Sequence, residues 1–262
     1  MKKKNKISII TGGAGFFGKQ IFEALLELEH KKIIVIDNND NNIKKFKQKY
    51  KKFSNKFLIF NADTTSEIEM NKACKDIIKK FKKIDVLINN ASIDYKPTKK
   101  IKSRESFFDI SILNWKKELS VGLTGAMICA KIFCKPMAKK KSGIILNISS
   151  DLSVIAPDQR LYEHLNTIKP VSYSVVKHGL IGFTKYLSVY LADKNIRVNA
   201  LSPGGIKNNQ DKKFVKKIKN LIPLKRMANI NEYKEIIKFL CSEKSTYMTG
   251  QNIVVDGGRS II

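Results

Sequence analysis

The chain has 262 residues, of which 43% are hydrophobic and 28% are charged. A chain of this length buries a substantial core, and its repeated apolar runs exclude a disordered protein. No stretch approaches about 20 uninterrupted apolar residues, so we expect no membrane-spanning helix. The basic start at residues 1–6 is followed by a short apolar run, 7–10, before a glycine turn. Since that run is too short for a signal peptide, we expect no secretion signal.

The charge balance is strongly basic, with 50 Lys and Arg against 23 Asp and Glu, a formal net charge of +27. Such a field attracts polyanions, which raises the question of nucleic-acid binding. The lysines are spread over the whole chain, and no helix-turn-helix, zinc-finger or RRM-type pattern is present. Nucleic-acid binding is therefore not expected as the main role, whereas attraction of a phosphorylated or acidic small molecule is.

The four cysteines are scattered without the spacing of a metal site: Cys74, Cys129, Cys134 and Cys241. This usage is typical of reduced, buried thiols in a cytoplasmic protein, and we predict no metal site.

Short apolar runs alternate with longer amphipathic stretches along the whole chain. Strands are predicted at 7–10, 33–36, 57–60, 85–88, 144–148, 197–201 and 251–255, and helices at 16–28, 68–81, 119–137, 173–191 and 232–240. Alternation with fully apolar strands predicts an α/β fold of the Rossmann-like, doubly wound kind, with a seven-stranded, mainly parallel sheet and helices on both faces. No linker or internal repeat interrupts the pattern, so residues 1–262 are expected to form a single domain.

A glycine-rich loop, from Thr11 to Gly18, lies between the first strand and the first helix. Glycines at this point allow a sharp turn and let backbone amides approach a pyrophosphate at the helix N-terminus. A glycine cluster alone also marks ordinary turns, but its place between strand and helix favours dinucleotide binding.

The second strand is followed by Asp37, 19 residues beyond Gly18. A carboxylate there accepts hydrogen bonds from the adenosine ribose hydroxyls and repels a 2′-phosphate. No Arg follows it, since Asn38 and Asn39 come next. This favours NAD over NADP; the alternative for Asp37 is a turn residue.

Tyr173 and Lys177 lie one helical turn apart at the start of the long helix, so both side chains share one face. A nearby cation favours the phenolate of Tyr173 and brings it closer to a working pH for proton transfer. Ser150 follows the fifth strand and Asn90 the fourth. Ligands bind at the carboxyl ends of such strands, so we expect these residues to meet at one edge.

Taken together, these motifs resemble those of the short-chain dehydrogenase/reductase family over nearly the whole chain. Further matches are Asn61-Ala62-Asp63, Asn89-Asn90-Ala91-Ser92, Ser202-Pro203-Gly204-Gly205 and Asp256-Gly257-Gly258. The resemblance implies that Tyr173 is the acid/base, that Ser150 holds the substrate carbonyl or hydroxyl, and that Lys177 binds the nicotinamide ribose. It further implies that Asp63 contacts adenine, that Asn90 contacts the central part of the cofactor, and that the segment after Pro203 contacts the nicotinamide. The predicted cofactor-binding residues are Thr11, Gly12, Gly15, Phe16, Phe17, Gly18, Asp37, Asn38, Asp63, Asn90, Ala91, Ser92, Tyr173, Lys177, Pro203, Gly204 and Ile206.

Three features depart from the family pattern. The glycine spacing, with Gly15 and no glycine at Phe16, resembles a longer branch of the family. Gly122 stands where these enzymes usually carry an Asn that anchors a water in the proton relay. Ser150 and Tyr173 are 23 residues apart, which is longer than usual, and the connection carries Arg160 and His164 as candidate substrate-binding residues. The alternative for Arg160 is an ion pair with Asp158 or Glu163, or a contact with a neighbouring subunit.

The segments 151–160 and 250–260 are also similar to the bacterial flagellin-modification and surface-glycan subgroup. The leading hypothesis is therefore an NAD-dependent oxidoreductase acting on a hydroxyl or carbonyl of a sugar or sugar phosphate, with an anionic sugar as one candidate substrate. The alternatives are a reductase of 3-oxoacyl thioesters or small ketones, and a catalytically weak dinucleotide-binding scaffold, suggested by Gly122. The resemblance implies a homodimer or homotetramer, with contacts through 119–137, 173–191 and 251–255.

Overall fold

The computed structural model describes residues 5–93 and 106–262; the first four residues of the basic start lie outside this part of the chain. Seven strands form one sheet in the order β3-β2-β1-β4-β5-β6-β7, and all six neighbouring pairs are parallel. The strands β1 to β7 are Ile7–Thr11, Lys32–Asp37, Phe57–Asn61, Val86–Asn89, Gly143–Ile148, Ile196–Pro203 and Asn252–Val255. The predicted doubly wound sheet is confirmed.

Eight α-helices are described in residues 5–93 and 106–262. In chain order, α1 to α8 are Phe16–Glu27, Asp40–Lys49, Glu67–Phe81, Ile112–Leu119, Gly125–Lys140, Val171–Tyr190, Lys212–Asn220 and Lys234–Leu240. A π-helical turn, Ser120–Thr124, joins α4 to α5. The sequence did not predict α2, α4 or α7.

The core lies on both faces of the sheet, as a doubly wound fold requires. One face packs against α3, α5 and α6, through residues such as Met70, Phe133 and Leu187. The other face packs against α1, α2 and α8, through residues such as Phe22 and Phe46. Apolar strands covered on both sides explain why the strand sequences are nearly continuous runs of Ile, Val and Leu.

The helical run Ile112–Lys140 is long and apolar enough to cross a membrane by length and composition alone. However, 56% of its most apolar window is buried inside the fold. Its residues Cys129, Phe133 and Met137 belong to the core beside the sheet. These properties are those of a core helix, so the run is weak evidence for a membrane.

All four cysteines are free thiols. Cys129, Cys134 and Cys241 are buried, and Cys74 is partly buried. Burial raises the pKa of each of the three buried thiols to about 12. These thiols are therefore protonated and chemically quiet near neutral pH.

Candidate active site

The sheet order reverses between β1 and β4, because the chain builds β2 and β3 on one side and then returns. Ligands bind in such folds at this point, outside the carboxyl ends of the strands. Thr11 ends β1, Asn90 follows β4, Ser150 follows β5 and Pro203 ends β6. The fold therefore brings the predicted site residues to one edge of the sheet.

The glycine loop is fastened to the end of β4. The Asn90 side-chain amide donates to the carbonyl oxygens of Thr11 and Gly12, both at 3.0 Å. The Thr11 hydroxyl oxygen accepts from the backbone amides of Asn90 and Ala91, at 3.0 and 3.1 Å. Gly12 has φ +60°, and a Cβ there would lie 2.9 Å from the Cα of Ala91. Only glycine fits this crossing of two backbones.

The loop leads into α1, whose N-cap is Gly15 with no side-chain cap hydrogen bond. A Cβ on Gly18 would collide with the carbonyl oxygen of Gly12. The loop therefore packs closely against the start of α1. The backbone amides in the first turn of a helix can bind an anion, and the helix dipole also favours negative charge there. This cradle fits the pyrophosphate of a dinucleotide.

Asp37 lies between the glycine loop and the end of β2, with 8% of the residue exposed. Its carboxylate accepts from the backbone amides of Ala14 and Asn39, both at 3.0 Å. Burial raises the pKa of the Asp37 carboxyl, while these amide hydrogen bonds and the charge of Lys19 act in the opposite direction. A carboxylate held rigidly beside the glycine loop fits the hydroxyls of an adenosine ribose.

Four further predicted cofactor residues are less buried than Asp37: Asp63, Phe17, Phe16 and Asn38. The Asp63 carboxylate accepts from the amide and the hydroxyl of Thr65, both at 2.8 Å. Phe17 packs edge-on against Tyr233, with ring centroids 5.5 Å apart, whereas Phe16 is exposed. Asn38 is also exposed.

Backbone contacts help to hold the segment after β6 in place. The Gly204 amide donates to the carbonyl of Val255 at 2.9 Å, and a Cβ on Gly204 would lie 2.6 Å from the Cα of Asp256. Ile206 forms an isolated parallel bridge with Ala228. The turn after Pro203 is thus fixed against β7 at the carboxyl edge.

Tyr173 and Lys177 face each other across one turn of α6, as the spacing predicts. The Lys177 ammonium lies 5.5 Å from the centroid of the Tyr173 ring. Lys177 is 4% exposed, and its Nζ donates to the carbonyl of Ile148 at 3.0 Å. The Ser149 hydroxyl donates to the Lys177 carbonyl at 2.8 Å, which fastens the end of β5 to α6.

Ser150 is buried at the end of β5. Its hydroxyl donates to Oδ1 of Asp151 at 2.8 Å, and its oxygen accepts from the amide of Leu152 at 3.2 Å. The orientation of this hydroxyl is therefore set by its immediate neighbours in the chain.

A second lysine, Lys169, which the sequence analysis did not identify, lies closer to the Tyr173 ring than Lys177 does. Its ammonium is 3.5 Å from the centroid of the Tyr173 ring, and the residue is 9% exposed. The Gln159 side chain accepts from the Lys169 amide at 2.9 Å and donates to its carbonyl at 3.1 Å. The four-residue spacing to Tyr173 was a readable signal, but Pro170 precedes the helix, so only the folded loop places Lys169 here.

Arg160 and His164, the candidate substrate residues, have partners within the protein. Arg160 donates through Nε and Nη2 to the two carboxylate oxygens of Asp158, at 2.9 and 2.8 Å, and its side chain is 78% exposed. His164 Nε2 lies 2.8 Å from Oδ1 of Asp211. This geometry is the surface ion pair that was the alternative for Arg160, and the roles of Arg160 and His164 in substrate binding stay predictions.

Gly122 lies in the π-helical turn and packs against α6. A Cβ at this position would lie 2.5 Å from Cγ1 of Val176 and 3.6 Å from the Ser92 hydroxyl. Val176 therefore occupies the space that a side chain at 122 would need.

A cavity of about 510 Å³ opens beside the start of α6. Lys169 and Ser174 contribute to its wall, and both adjoin Tyr173. The Ser174 hydroxyl is buried and has no hydrogen-bond partner among the described residues. Most of the remaining lining is apolar: Phe107, Ile110, Val154, Ile155, Pro157 and Ile168.

A parallel sheet with a glycine cradle, a ribose-type carboxylate and a Tyr/Lys pair at one edge defines a pyridine-nucleotide-dependent oxidoreductase. Comparison with known families agrees, since residues 17–260 match the family described as "Enoyl-(Acyl carrier protein) reductase". The chain belongs to the short-chain dehydrogenase/reductase family, whose members act on CH–OH groups with NAD(P).

Individual relatives cover almost the whole chain. A 3-oxoacyl-[acyl-carrier-protein] reductase of Aquifex aeolicus is 32% identical over 263 residues, 98% of each chain. The post-translational flagellin modification protein A of Campylobacter coli is 30% identical over 257 residues, 97% of this chain and 98% of its own. A short-chain dehydrogenase from Leptospira borgpetersenii, solved with bound NAD+, has a TM-score of 0.86 and 32% identity, covering 98% of this chain and 93% of its own.

Proposed function

We propose that this protein interconverts 3-oxoacyl and 3-hydroxyacyl thioesters, with NAD(H) as the preferred cofactor. The observation that carries the proposal is the largely apolar cavity of about 510 Å³ beside the start of α6. Transfer of an acyl chain from water to such a surface is favourable. A sugar would instead lose its hydrogen bonds to water there. The 3-oxoacyl reductase relatives support the same substrate class.

Three residues of the sheet edge are assigned to the chemistry. Tyr173 exchanges the proton of the substrate oxygen, and Ser150 holds that oxygen by a hydrogen bond. Lys177, whose ammonium is 5.5 Å from the centroid of the Tyr173 ring, is assigned to favour the phenolate of Tyr173 and to bind the nicotinamide ribose. The bound nicotinamide supplies or accepts the hydride.

The cofactor preference rests on Asp37. Its buried carboxylate lies beside the glycine loop with both oxygens fixed by backbone amides. It fits two ribose hydroxyls, and a 2′-phosphate there would meet negative charge. The basic surface of the chain, with its net charge of +27, suits the phosphates of a coenzyme A or carrier-bound thioester.

A sugar or sugar-phosphate substrate in surface-glycan biosynthesis is the second candidate. The relative named as a flagellin modification protein covers 97% of the chain at 30% identity. The polar residues of the cavity wall, Gln159, Lys169 and His178, provide hydrogen-bonding groups for such a molecule.

We further propose that the chain works as a homodimer or homotetramer in the cytoplasm. Exposed apolar side chains cluster on α6, where the rings of Tyr186 and Tyr190 stack 5.9 Å apart beside Val189. A helix face of this kind is typical of a subunit contact. Light scattering on the purified protein gives the assembly state directly.

The test is a substrate panel followed by the absorbance of NADH. Acetoacetyl-coenzyme A represents the thioesters, and keto-sugars with their phosphates represent the second candidate. We expect the highest kcat/KM on the thioester; a higher value on a keto-sugar would reject the acyl assignment in favour of the glycan one.

Tyr173→Phe is the control for the catalytic assignment. The ring and its packing stay while the proton is lost, so turnover should disappear and NADH affinity should stay within a few fold. Turnover comparable to the unaltered enzyme would contradict the role of Tyr173.

A further inference from the structure

Next to Ser150, the Asp151 carboxylate joins two parts of the chain that are far apart in sequence. Its Oδ1 accepts from the Ser150 hydroxyl at 2.8 Å, and its Oδ2 accepts from Nη1 of Arg259 at 2.8 Å. Oδ1 also accepts from the amide of Leu152 at 2.9 Å. The side chains of Asp151 and Arg259 are only 4% and 7% exposed.

Because the Asp151–Arg259 pair is buried, each charge needs the other as its partner. Removing one partner would leave an unpaired charge in the interior, which is strongly destabilising, whereas an apolar pair of similar volume is often neutral. An ion pair is therefore not needed at this position for stability alone. Its geometry instead points to the group that shares Oδ1, the Ser150 hydroxyl.

The turn after β7 is shaped to bring Arg259 into the interior. Gly257 and Gly258 have φ of +70° and +90°, and a Cβ on either would lie within 3 Å of Ile222 or Pro223. The Asp256 carboxylate accepts from the amides of Gly258 and Ser260 at 2.9 and 2.7 Å. These contacts fix the backbone on both sides of Arg259.

We propose that Asp151 and Arg259 are positioning residues for Ser150, and this rests on the role proposed for Ser150 above. Arg259 fixes the carboxylate of Asp151, and the carboxylate together with the Leu152 amide fixes the position of the Ser150 oxygen. The Leu152 amide takes one lone pair of the Ser150 oxygen, which leaves one for a substrate hydroxyl. When a carbonyl binds instead, the Ser150 proton turns from Asp151 to the carbonyl oxygen. Displacement of a positioning group by about 1 Å can cost on the order of a hundredfold in rate.

The test compares variants that remove the carboxylate without leaving a buried charge. Asp151→Leu with Arg259→Met removes both charges and keeps apolar volume, so this double variant is expected to fold. Arg259→Lys keeps the cation and is the conservative rescue. Asp85→Asn with Lys140→Gln is the control for loss of an ion pair away from the site, because that pair lies at the opposite edge of the sheet, at the start of β4.

Kinetics are measured on ethyl 3-oxobutanoate, a small neutral ketone that reports hydride transfer without recognition of a thioester. We expect kcat/KM of the Leu/Met double variant to fall about ten- to a hundredfold, with NADH affinity within about twofold. The kcat/KM of Arg259→Lys should be much closer to that of the unaltered enzyme than to that of the double variant. The Asp85/Lys140 control should have the kcat/KM of the unaltered enzyme. A folded Leu/Met variant with unchanged kcat/KM would overturn the proposal.

Crystal structures of the same variants give a readout that needs no substrate. We expect the Ser150 oxygen to keep its position in Arg259→Lys and to rotate away in the Leu/Met variant; an unmoved oxygen there overturns the positioning role. If the unaltered enzyme reduces ethyl 3-oxobutanoate but not acetoacetyl-coenzyme A, the proposed substrate fails while the Ser150 comparison still holds.

Discussion

Val176 fills the space beside Gly122, with one of its methyl carbons 2.5 Å from the position a Cβ at residue 122 would take. The two residues therefore form a matched small–large pair between the π-helical turn and α6. Residue 122 has no side chain, and the branched side chain of Val176, one residue before Lys177, fills the space that one would occupy. An amide-bearing residue cannot return to position 122 without a change at 176.

This pairing predicts the outcome of placing at position 122 the Asn that the family resemblance implies there. Gly122→Asn alone should lower the free energy of unfolding by about 1–3 kcal/mol, because a valine has no flexible end that can move away. Adding Val176→Ala should recover most of that loss in urea denaturation. If both variants are equally stable, the close packing of the two residues is not what excludes a side chain.

Cofactor selectivity should depend on Asp37. Asp37→Ala removes both the ribose acceptor and the charge that repels a 2′-phosphate, so the ratio of NADH to NADPH affinity should move toward one. The measurement is fluorescence titration with both dinucleotides. Tighter binding of NADPH than NADH by the unaltered protein would contradict the NAD preference at the outset.

Substrate recognition should depend on Lys169 rather than Arg160. Lys169→Met keeps the apolar stem in the cavity wall and removes the charge above Tyr173, so KM for a phosphorylated keto-sugar, the second candidate substrate, should rise about tenfold or more. Arg160 is bound to Asp158 at the surface, so Arg160→Ala should leave KM unchanged. A raised KM for Arg160→Ala with an unchanged KM for Lys169→Met would instead assign Arg160 to the substrate site.

Stability should fall in mild acid because of His30. This ring is 2% exposed and lies 2.5 Å from the Ser8 hydroxyl, and burial lowers its pKa from 6.5 to about 4. Between pH 6.5 and 4, His30 is protonated in the unfolded chain but not in the folded chain. The free energy of unfolding therefore decreases as the pH falls through this range, by roughly 3 kcal/mol at most.

Thermal unfolding between pH 7 and 4 measures the effect of His30. His30→Gln should flatten the pH dependence, whereas His178→Gln, at an exposed position, should not. Parallel curves for all three proteins would show that another group titrates.

The sheet could be predicted from sequence because each strand is a short run of buried, mostly branched apolar residues between turn signals. The helices α2 and α7 could not, since each buries only two apolar side chains, Ile43 with Phe46 and Phe214 with Ile218. Their N-caps, Asn39 and Asp211, were readable signals that lysine-rich surroundings outweighed.

At the site, residues that end or follow strands could be placed in advance, because parallel strands end at one edge. Thr11, Asn90, Ser150 and Pro203 are of this kind. The contacts of Asp151 with Arg259 could not be placed, because 108 residues separate the two partners and only the turn after β7 brings them together. Lys169 could not be placed either, because Pro170 separates it from α6 and its loop has no periodic pattern, so the four-residue spacing to Tyr173 alone did not fix its position.

The buried cysteines give the chain an internal reporter of its own opening. A thiol-reactive dye needs a thiolate in contact with water, and Cys129, Cys134 and Cys241 offer neither while the fold is closed. Cys129 and Cys134 lie on α5, on one face of the sheet, and Cys241 lies beside α8 on the other. The order in which these positions acquire dye during slow denaturation would therefore tell which layer of the protein separates from the sheet first.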